Sequence, residues 1–459
     1  MNESETVMTS PVVDPIADTV ISVSKALEAH DRERVKALTL PLRTPDLADV
    51  IELLDNDERV QLIETLGNDF DFEVFSELDE AVRDQLSEAL PNTLLAKAVT
   101  ELDTDDAAYL IETLEESDRQ EILEQLSFDD RSALERNLEY GEDTAGRLMQ
   151  SDFVAVAPFW TVGRVIDYMR DTDDLPESFS EIFVVDPGYR VLGSVELSRL
   201  LRTKRHVPVQ DIMNPDRHVV QATENQENVA RQFARYNLIS APVVDENERL
   251  VGVVTIDDVV DVIQEEAEDD ILAMGGVGDE SLADSVFSTV RSRIPWLIVN
   301  LGTALLSPLV IQNFGATIEQ MVALAVMMPV VSAMGGNAGT QTMTVTVRAL
   351  ATNKLGRVNA PRVITRETLV GLINGLVLST IMASVCFVWF GSGMLGAVIA
   401  AAMIVNLLVA ALAGILIPLT LNWLKLDPAP SSGVFVTTIT DVVGFFAFLG
   451  LASLWLSSR

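Results

Sequence analysis

A single aspartate, Asp441, lies inside a stretch that otherwise carries no charge, residues 431–456. The stretch is long enough to cross a bilayer as a helix, which takes about 20 apolar residues. At about 1.5 Å rise per residue, the aspartate lies about 15 Å along it, near the midplane of a hydrocarbon core about 30 Å thick. A carboxylate at that depth costs about 2.5 kcal/mol or more, so it indicates a functional site that meets a cation.

The alternative for Asp441 is a structural carboxylate paired with a basic residue of another span. No Lys or Arg is predicted at the same depth in any candidate span, so this alternative lacks a partner. Thr437 and Thr440 precede the aspartate, and their hydroxyl groups are suited to hydrogen-bond the waters of a hydrated ion. The same β-branched residues also suit a plain helix, so they are candidates for a pore lining only.

The net charge of −37 is divided unevenly along the 459 residues. From Arg291 onward there are nine basic and four acidic residues, so that part carries +5 and the preceding part −42. Such acidity argues against a nucleic-acid partner, which requires basic patches, and it suits cation binding. Solvation in a salty cytoplasm is the alternative. The single cysteine, Cys386, excludes an internal disulfide, and the three histidines are too scattered for a zinc site.

Five apolar stretches after Arg291 are predicted to form an α-helical membrane domain with five spans. Basic residues lie before the first span, between the second and third, and between the fourth and fifth, and the other loops between spans have none. By the positive-inside rule, the chain is a multi-pass protein of the plasma (inner) membrane with its N-terminus cytoplasmic and its C-terminus outside. The predicted spans are residues 294–312, 318–347, 363–390, 395–424 and 431–456.

The second span is unusual because it contains Pro329, three glycines and polar residues around Asn337. Proline and glycine weaken a helix, so we expect irregular backbone, which a bilayer tolerates only where protein or a water-filled cavity surrounds it. For Asn337 and the adjacent Gly336 we favour the lining of a pore. Close helix packing through small residues is the alternative, and it is the better interpretation of the glycines alone and of Asn406.

Residues 46–140 repeat with a period of 24, and leucine recurs at that spacing in three registers. Each repeat is predicted to be a helix, an acidic turn and a second helix, which together form an α-helical solenoid. Most turn acids are expected to cap the second helix of their repeat. Asp103, Asp105 and Asp106 remain open as ion ligands.

A second kind of repeat follows, in which residues 182–201 align with residues 241–260 at a shift of 59. Both copies are predicted to form a strand, a turn, a strand and a helix. They resemble paired α/β CBS modules, which often bind adenosine nucleotides. The second copy has Thr255 and Asp258 where such modules commonly hold ribose, so the resemblance implies ATP there. The first copy departs from that pattern at residues 195–198.

The segment after the second copy is predicted to be a strongly acidic helix. Between Leu250 and Val290 there are eleven acidic residues and no Lys or Arg. Packed against another acidic domain it would be repelled, since two unit charges about 4 Å apart cost about 4 kcal/mol at an effective dielectric of about 20. Divalent ions would remove that cost, so the pattern predicts a latch that cations close. A solvated charged face is the alternative.

Three further motifs stand out in the chain: YGEDTAGRLM at 140–149, GGNAGTQ at 335–341 and LDPAPSSGVFVTTITDVVGFFAFLGLA at 426–452. With these motifs, nearly the whole chain resembles the MgtE family of magnesium channels. The resemblance implies a homodimer in the lipid bilayer with the ion path near its two-fold axis, Asp441 as the pore carboxylate and Asn337 near the pore. It also implies that the acidic helix is a gating plug. The magnesium-sensing acids of the family match Asp258, Asp261, Glu266, Asp269 and Asp270.

The sequence therefore predicts four parts: an acidic helical-repeat N-domain (1–140), tandem CBS domains (141–255), an acidic connecting helix (256–285) and a pore domain (286–459). The predicted function is not enzymatic. It is import of Mg²⁺ down its electrochemical gradient, with closure by Mg²⁺ bound between acidic cytoplasmic domains. Asn237 stands where some relatives have an aspartate, which removes one implied sensing ligand.

Two alternatives remain: a membrane-tethered divalent-cation sensor and a broader transporter of Mn²⁺ and Co²⁺. An ATP-driven transporter is disfavoured because the chain has no G-x-x-x-x-G-K-[ST] phosphate-binding loop. An anion channel is disfavoured because the predicted pore has no basic residue. Mg²⁺ prefers oxygen ligands and sheds its waters reluctantly, so a carboxylate and hydroxyl groups could hold the hydrated ion through those waters.

Overall fold

Two compact units, residues 1–266 and residues 267–459, make up the chain in the computed structural model of the protein. The structure describes residues 15–172, 175–176, 178–215, 218–278, 286–356 and 358–458. Residues 1–14 of the predicted N-domain, residues 279–285 of the predicted connecting helix and seven residues of the other two predicted domains lie outside the described residues. Each unit has its own hydrophobic core and its own candidate site.

Short helices form the N-terminal part of the first unit. Leucines at the predicted 24-residue spacing are buried between them, and Leu62, Leu86, Leu110 and Leu134 are at most 2% exposed. This register of the repeat is confirmed as a buried stripe, whereas the solenoid shape stays a prediction. The helices are α1 (Pro15–Glu28), α2 (Arg32–Thr39), α3 (Thr44–Glu52), α4 (Asn56–Leu66), α5 (Glu80–Ala89), α6 (Asn92–Glu101), α7 (Thr104–Glu112), α8 (Glu116–Gln125) and α9 (Phe128–Leu138), with 3-10 segments at Gly67–Asp69 and Phe72–Glu77.

Acidic residues in the turns begin the helices that follow them. Asp55 forms a capping box at the start of α4, and the Asp79 side chain accepts a hydrogen bond of 3.0 Å from the amide two residues later in α5. Each satisfies an amide that the first helical turn leaves without an intrahelical partner. The predicted capping role is confirmed for these two acids. Asp103 occupies the same position before α7, and Asp105 and Asp106 lie inside that helix.

Two three-stranded sheets of the same design follow. In each, the first strand is parallel to the second, and the second is antiparallel to the third. Val184 pairs with Gly193 in the first sheet and Val243 with Gly252 in the second, with an irregularity after both pairs. This match confirms the predicted 59-residue repeat. The elements are β1 (Ala155–Val156), α10 (Val162–Asp171), β2 (Glu181–Val185), β3 (Val191–Glu196), α11 (Leu197–Leu201), β4 (Val220–Gln221), α12 (Gln226–Tyr236), β5 (Ser240–Val244) and β6 (Leu250–Thr255).

The predicted acidic helix is α13, Ile256–Gly275, and it begins directly after β6. Its first two turns belong to the second sheet module, because Val259 and Val262 are buried in the core of that module. The module therefore fixes the acids at the start of α13 in space, including Asp257 and Asp258.

Long helices form the second unit. Four segments are long and apolar enough to cross a membrane by length and composition: Val286–Gln312, Ala360–Phe390, Gly393–Trp423 and Pro428–Ser457. The remaining predicted span falls on a 29-residue helix that is not among these four, so five crossings stay a prediction. The helices are α14 (Val286–Ala304), α15 (Leu306–Gln312), α16 (Gly315–Gln320), α17 (Ala323–Ala351), α18 (Ala360–Phe390), α19 (Gly393–Trp423) and α20 (Pro428–Ser457).

From Ala323 onward the second predicted span is a continuous α-helix, so the irregular backbone expected around Pro329 and the glycines is wrong, and the first residues of the predicted span belong to α16, which ends at Gln320. Helix α17 runs through Pro329 and the glycines that follow it without a break. A Cβ at Gly335 would lie 2.2 Å from the Asn406 side chain, and a Cβ at Gly339 would lie 2.5 Å from that of Val436. These glycines permit close helix contacts, which outweigh their weak helix propensity.

Helix α19 lies at the centre of the second unit, where it packs against α17, α18 and α20. The core beside it includes Leu324, Met403 and Phe448, all at most 3% exposed. In contrast, α14 has no buried residue among those described. The last turns of α13 also belong to this unit, and Met274 packs against a buried cluster that includes Met343 of α17 and Val436 of α20.

Candidate functional site

The Asp441 carboxylate lies on α20 and is half-buried against α17. Its Oδ1 accepts a hydrogen bond of 2.5 Å from the hydroxyl group of Ser332 on α17. Within the described residues, no Lys or Arg forms an ion pair with this carboxylate. The described residues therefore hold Asp441 by a neutral donor, and its role in a pore stays a prediction.

Asn406 on α19 fixes the adjacent turn of α17. Its Nδ2 donates a hydrogen bond of 2.8 Å to the carbonyl of Val331, the residue before the serine. Gly335 of α17 and Gly444 of α20 face this amide from two sides, where a Cβ would lie 2.2 and 2.7 Å from its nitrogen. Helices α17, α19 and α20 thus meet at Asn406. On α20 the contact is at Gly444, three residues after Asp441. The predicted packing role of Asn406 is confirmed.

The predicted pore-lining residues fall into two groups. Asn337 and Thr437 are exposed on the single chain, and Gly336 has no atom within 4 Å of the position of a Cβ. Thr440 is fully buried, and its hydroxyl group donates a hydrogen bond of 2.9 Å to the carbonyl of Thr437. The first group is not covered by the rest of the chain, whereas a Thr440 side-chain carbon lies 3.6 Å from the position of a Cβ on Gly339, so Thr440 packs against that glycine. The pore role of all four stays a prediction.

In the first unit, the acids of α7 face the acids at the start of α13. Asp105 is 2% exposed, and its Oδ1 has no hydrogen-bond partner within the described part of the chain. The negative charges of Asp258 on α13 and of Asp106 on the same helix act on the Asp105 carboxyl group. We call this group, Asp105, Asp106, Asp257, Asp258 and Asp261, the acidic face.

Burial and repulsion between like charges both raise the pKa values of carboxyl groups in the acidic face. Burial, with the charges of Asp258 and Asp106, raises the pKa of Asp105 well above its usual value. Burial and the charge of Asp103 raise the pKa of Asp106 to about 7. Burial also raises the pKa of Asp258 to about 7, although the hydrogen bond from Thr255 lowers it. A cation placed here would stabilise the charged carboxylates.

Glu77 adds a further acid beside the acidic face, and two hydrogen bonds orient the Asp258 carboxylate. Burial raises the pKa of Glu77, and the charge of Asp261 raises it further. The hydroxyl group of Thr255 donates to Asp258 Oδ2 at 2.5 Å, and the amide of Gln150 donates to the same oxygen at 3.5 Å. The sequence did not single out Glu77 or Gln150, because Glu77 is one of many acids near the repeat turns and Gln150 lies in no ligand motif.

The other predicted ligands lie farther along α13. Glu266 accepts a hydrogen bond of 3.4 Å from Gln226 of α12, and Asp269 and Asp270 belong to the second unit. In the part of the chain that the structure describes, no three His, Cys, Asp or Glu side chains could hold a metal ion together. The acids form an extended surface instead of a compact chelating site, and such a surface suits Mg²⁺ that keeps several of its waters.

The CBS-like modules line a partly open cavity of about 590 Å³. Its lining includes Glu181, Glu196 and the stacked rings of His218 and Tyr236, whose centroids are 4.4 Å apart. The predicted ribose-binding residues Thr255 and Asp258 are not in this lining and hydrogen-bond each other. ATP binding at those two residues stays a prediction.

Comparisons with known protein families match three regions of the chain. The MgtE family of divalent cation transporters matches residues 328–451, the MgtE intracellular N domain matches residues 42–143, and the CBS domain matches residues 145–206 and 209–265. The cytosolic domain of the Mg²⁺ channel MgtE in complex with ATP is a solved structure with 32% identity to this chain. The match covers 53% of this chain and 99% of the chain in that structure, with a TM-score of 0.49.

Two curated relatives match over most of the chain. Magnesium transporter MgtE of Thermus thermophilus is 36% identical over 328 residues, which are 71% of this chain and 73% of the relative. Magnesium transporter MgtE of Bacillus subtilis is 33% identical over 327 residues, 71% of this chain and 72% of the relative. Since the N domain, the CBS pair and the transporter region also occur in this order, the chain belongs to the MgtE family of divalent cation transporters.

Proposed function

We propose that this chain forms a homodimeric channel that imports Mg²⁺ down its electrochemical gradient past Asp441. The observation that carries the proposal is the Asp441 carboxylate, which lies in an apolar span and is held by the Ser332 hydroxyl group without a cationic partner among the described residues. An intramembrane acid of this kind is expensive, so it is retained where it meets a cation.

Exposed polar groups support a dimer with the ion path between its subunits. Asn337, Thr437 and the half-buried Asp441 are accessible on the single chain. Polar groups at membrane depth are unfavourable against lipid, so a second copy and the water between the copies would cover them. A hydrated Mg²⁺ could then pass with its waters hydrogen-bonded to carboxylate and amide oxygens.

The acidic face supports closure by Mg²⁺. The buried Oδ1 of Asp105 has no partner within the described residues, and the pKa of both Asp106 and Asp258 is raised to about 7. These acids repel one another when ionised, and bound Mg²⁺ would remove the repulsion and hold α7 against α13. Loss of Mg²⁺ would release the N-terminal helices and open the channel.

Orientation and selectivity complete the proposal. Arg291 and Arg293 in the first half of α14, Arg348 in the last turn of α17 and Lys354 just after it favour a cytoplasmic first unit and an external C-terminus in the plasma membrane. The family description covers divalent cations in general, which favours transport of Mn²⁺ or Co²⁺ as the second candidate function. A sensor without transport is the remaining alternative.

Vesicle uptake tests the proposal. The purified chain is reconstituted in liposomes that contain a Mg²⁺ indicator, and uptake is measured from an inward gradient. Asp441→Asn should reduce Mg²⁺ uptake to the level of empty vesicles. Glu319→Gln is the control, because it removes an exposed acid on α16 outside the long spans. Uptake by Asp441→Asn at the rate of the unmodified chain would refute the pore assignment, and absence of uptake by the unmodified chain would favour the sensor. Competition by Mn²⁺ and Co²⁺ separates the two transport functions.

A further inference from the structure

The Ser332 hydroxyl group differs from the other hydroxyl groups of the long helices. Serine and threonine in a helix commonly donate to a backbone carbonyl three or four residues earlier in the same helix. The donor bonds described for the other serines and threonines inside α17–α20 follow this rule, as Ser379 does to Leu376 and Thr420 does to Leu416. Ser332 instead donates across to α20, to the carboxylate of Asp441.

We propose that Ser332 is a positioning residue that holds the Asp441 carboxylate toward the ion path. This inference rests on the proposed role of Asp441 as the pore carboxylate. The bond occupies Oδ1 and fixes the carboxylate orientation, which leaves Oδ2 to accept from the waters of a hydrated ion. A hydroxyl group is suited to this role because it carries no charge, so it orients the acid without neutralising it as a Lys or Arg would.

The neighbouring contacts explain why the serine reaches the carboxylate. Asn406 holds the carbonyl of Val331 at 2.8 Å, and thereby fixes the turn of α17 from which Ser332 projects. Gly335 and Gly444 allow α17 and α20 to approach the same amide. The distance between Ser332 and Asp441 is thus set by three packed helices.

Four variants test the proposal in the reconstituted full chain. Ser332→Ala and Ser332→Val remove the hydroxyl group, and Ser332→Thr keeps it with the shape of valine. Ser379→Ala is the matched control, because it removes a buried hydroxyl group that bonds only within α18. Initial uptake rates against external Mg²⁺ give KM and the maximal rate per folded molecule, and competition by Mn²⁺ gives the selectivity. The folded fraction is taken from size-exclusion chromatography and the melting temperature.

A hydrogen bond to a charged group is stronger than one between neutral groups, so we expect Ser332→Ala and Ser332→Val to raise the KM for Mg²⁺ about tenfold or more and to weaken discrimination against Mn²⁺. Ser332→Thr should remain within about threefold of the unmodified chain, as should Ser379→Ala. Equal KM for the Thr and Val variants would overturn the proposal. So would a loss of folded protein with an unchanged KM and selectivity of the folded fraction, because the bond would then serve stability alone. Normal uptake by Asp441→Asn refutes the pore role itself, whereas inactive Asp441→Asn with unaltered Ser332→Ala refutes only the positioning role.

Discussion

The acidic face of the first unit and the lone carboxylate of the second hold negative charge in opposite ways. On α7 and α13, several carboxyl groups lie near one another, and burial and mutual repulsion raise their pKa values. On α20, one carboxylate is held by one neutral hydroxyl group. A set of repelling acids gains much from a bound cation and suits a sensor. A single acid binds more weakly, as conduction requires, since the ion must also leave.

The largest effect is expected from a second acid in the membrane site. Ser332→Asp would place another carboxylate against Asp441, where two charges about 4 Å apart cost about 4 kcal/mol at an effective dielectric of about 20. The pair would either share a proton or bind Mg²⁺ too tightly to release it. Mg²⁺ uptake in liposomes should fall by at least about a hundredfold, since each 1.4 kcal/mol is a factor of about ten.

Ser332→Asn controls for size in that experiment because it adds a similar volume without charge. Its loss of uptake should be smaller than that of Ser332→Asp. If Ser332→Asp conducts Mg²⁺ as fast as Ser332→Asn, the contrast between a single acid for conduction and many acids for sensing is wrong.

An intermediate effect is expected from the helix contacts that support the membrane site. Gly335→Ala would place a Cβ 2.2 Å from the Asn406 amide, whereas Gly336→Ala meets no atom within 4 Å. Overpacking of this kind costs about 1–3 kcal/mol, so Gly335→Ala should lower the melting temperature of the chain in detergent. Gly336→Ala is the neighbouring control and should leave it nearly unchanged. Equal melting temperatures for the two variants would contradict the close packing of α17 against α19.

The smallest effect is expected from removing part of the acidic face, since several acids share the work there. Asp105→Asn with Asp106→Asn should raise the Mg²⁺ concentration that closes the channel by about tenfold or less, equivalent to about 1.4 kcal/mol or less. Patch recording across a Mg²⁺ titration measures this. The control, Glu124→Gln with Asp129→Asn, removes two exposed charges on α8 and α9. An unchanged closing concentration in the first variant would separate the acidic face from gating.

The raised pKa values of the acidic face also make its stabilisation by Mg²⁺ depend on pH. Raised carboxyl pKa values mean that the packed arrangement of α7 and α13 is most stable below the ordinary carboxyl pKa of 3.8 and loses stability as the pH rises toward about 7. The charge of Arg83 opposes the shift at Asp106, and Glu77 and Asp257 add to the negative charge. Hydrogen exchange of α7 should therefore show greater protection by Mg²⁺ at pH 8 than at pH 6. Equal protection at both values would contradict the repulsion.

The sequence predicted the parts of the molecule that depend on local pattern. Asp441 stands out because no other charge lies in its span, and the 24- and 59-residue repeats appear as buried leucines and matching strand registers. The partner of Asp441 could not be predicted, because Ser332 is 109 residues away and serine in an apolar helix is common. Contacts across helices depend on rotation and depth, which hydropathy does not encode.

In helix α17, the proline and glycines predict an irregular backbone by their helix propensity, but the glycines permit a continuous helix by their close packing. Proline and glycine weaken an isolated helix, which led to the expectation of an irregular second span. In the folded unit, Gly335 and Gly339 lie where neighbouring side chains leave no room for a Cβ, and the helix continues. Glu77 of the first unit could not be singled out from the sequence either. Its raised pKa comes from burial and from the charge of Asp261, which is distant in sequence.

The junction between β6 and α13 has a mechanical consequence. The strand ends at Thr255 and the helix begins at Ile256, so no flexible residues separate them. The part of α13 in the first unit, residues 256–266, is a rod about 17 Å long, and a tilt of about 10° at its base displaces the end of this part by about 3 Å. A small reorientation of the second sheet module therefore carries the acids at the start of α13 with it, because no hinge separates them from the strand.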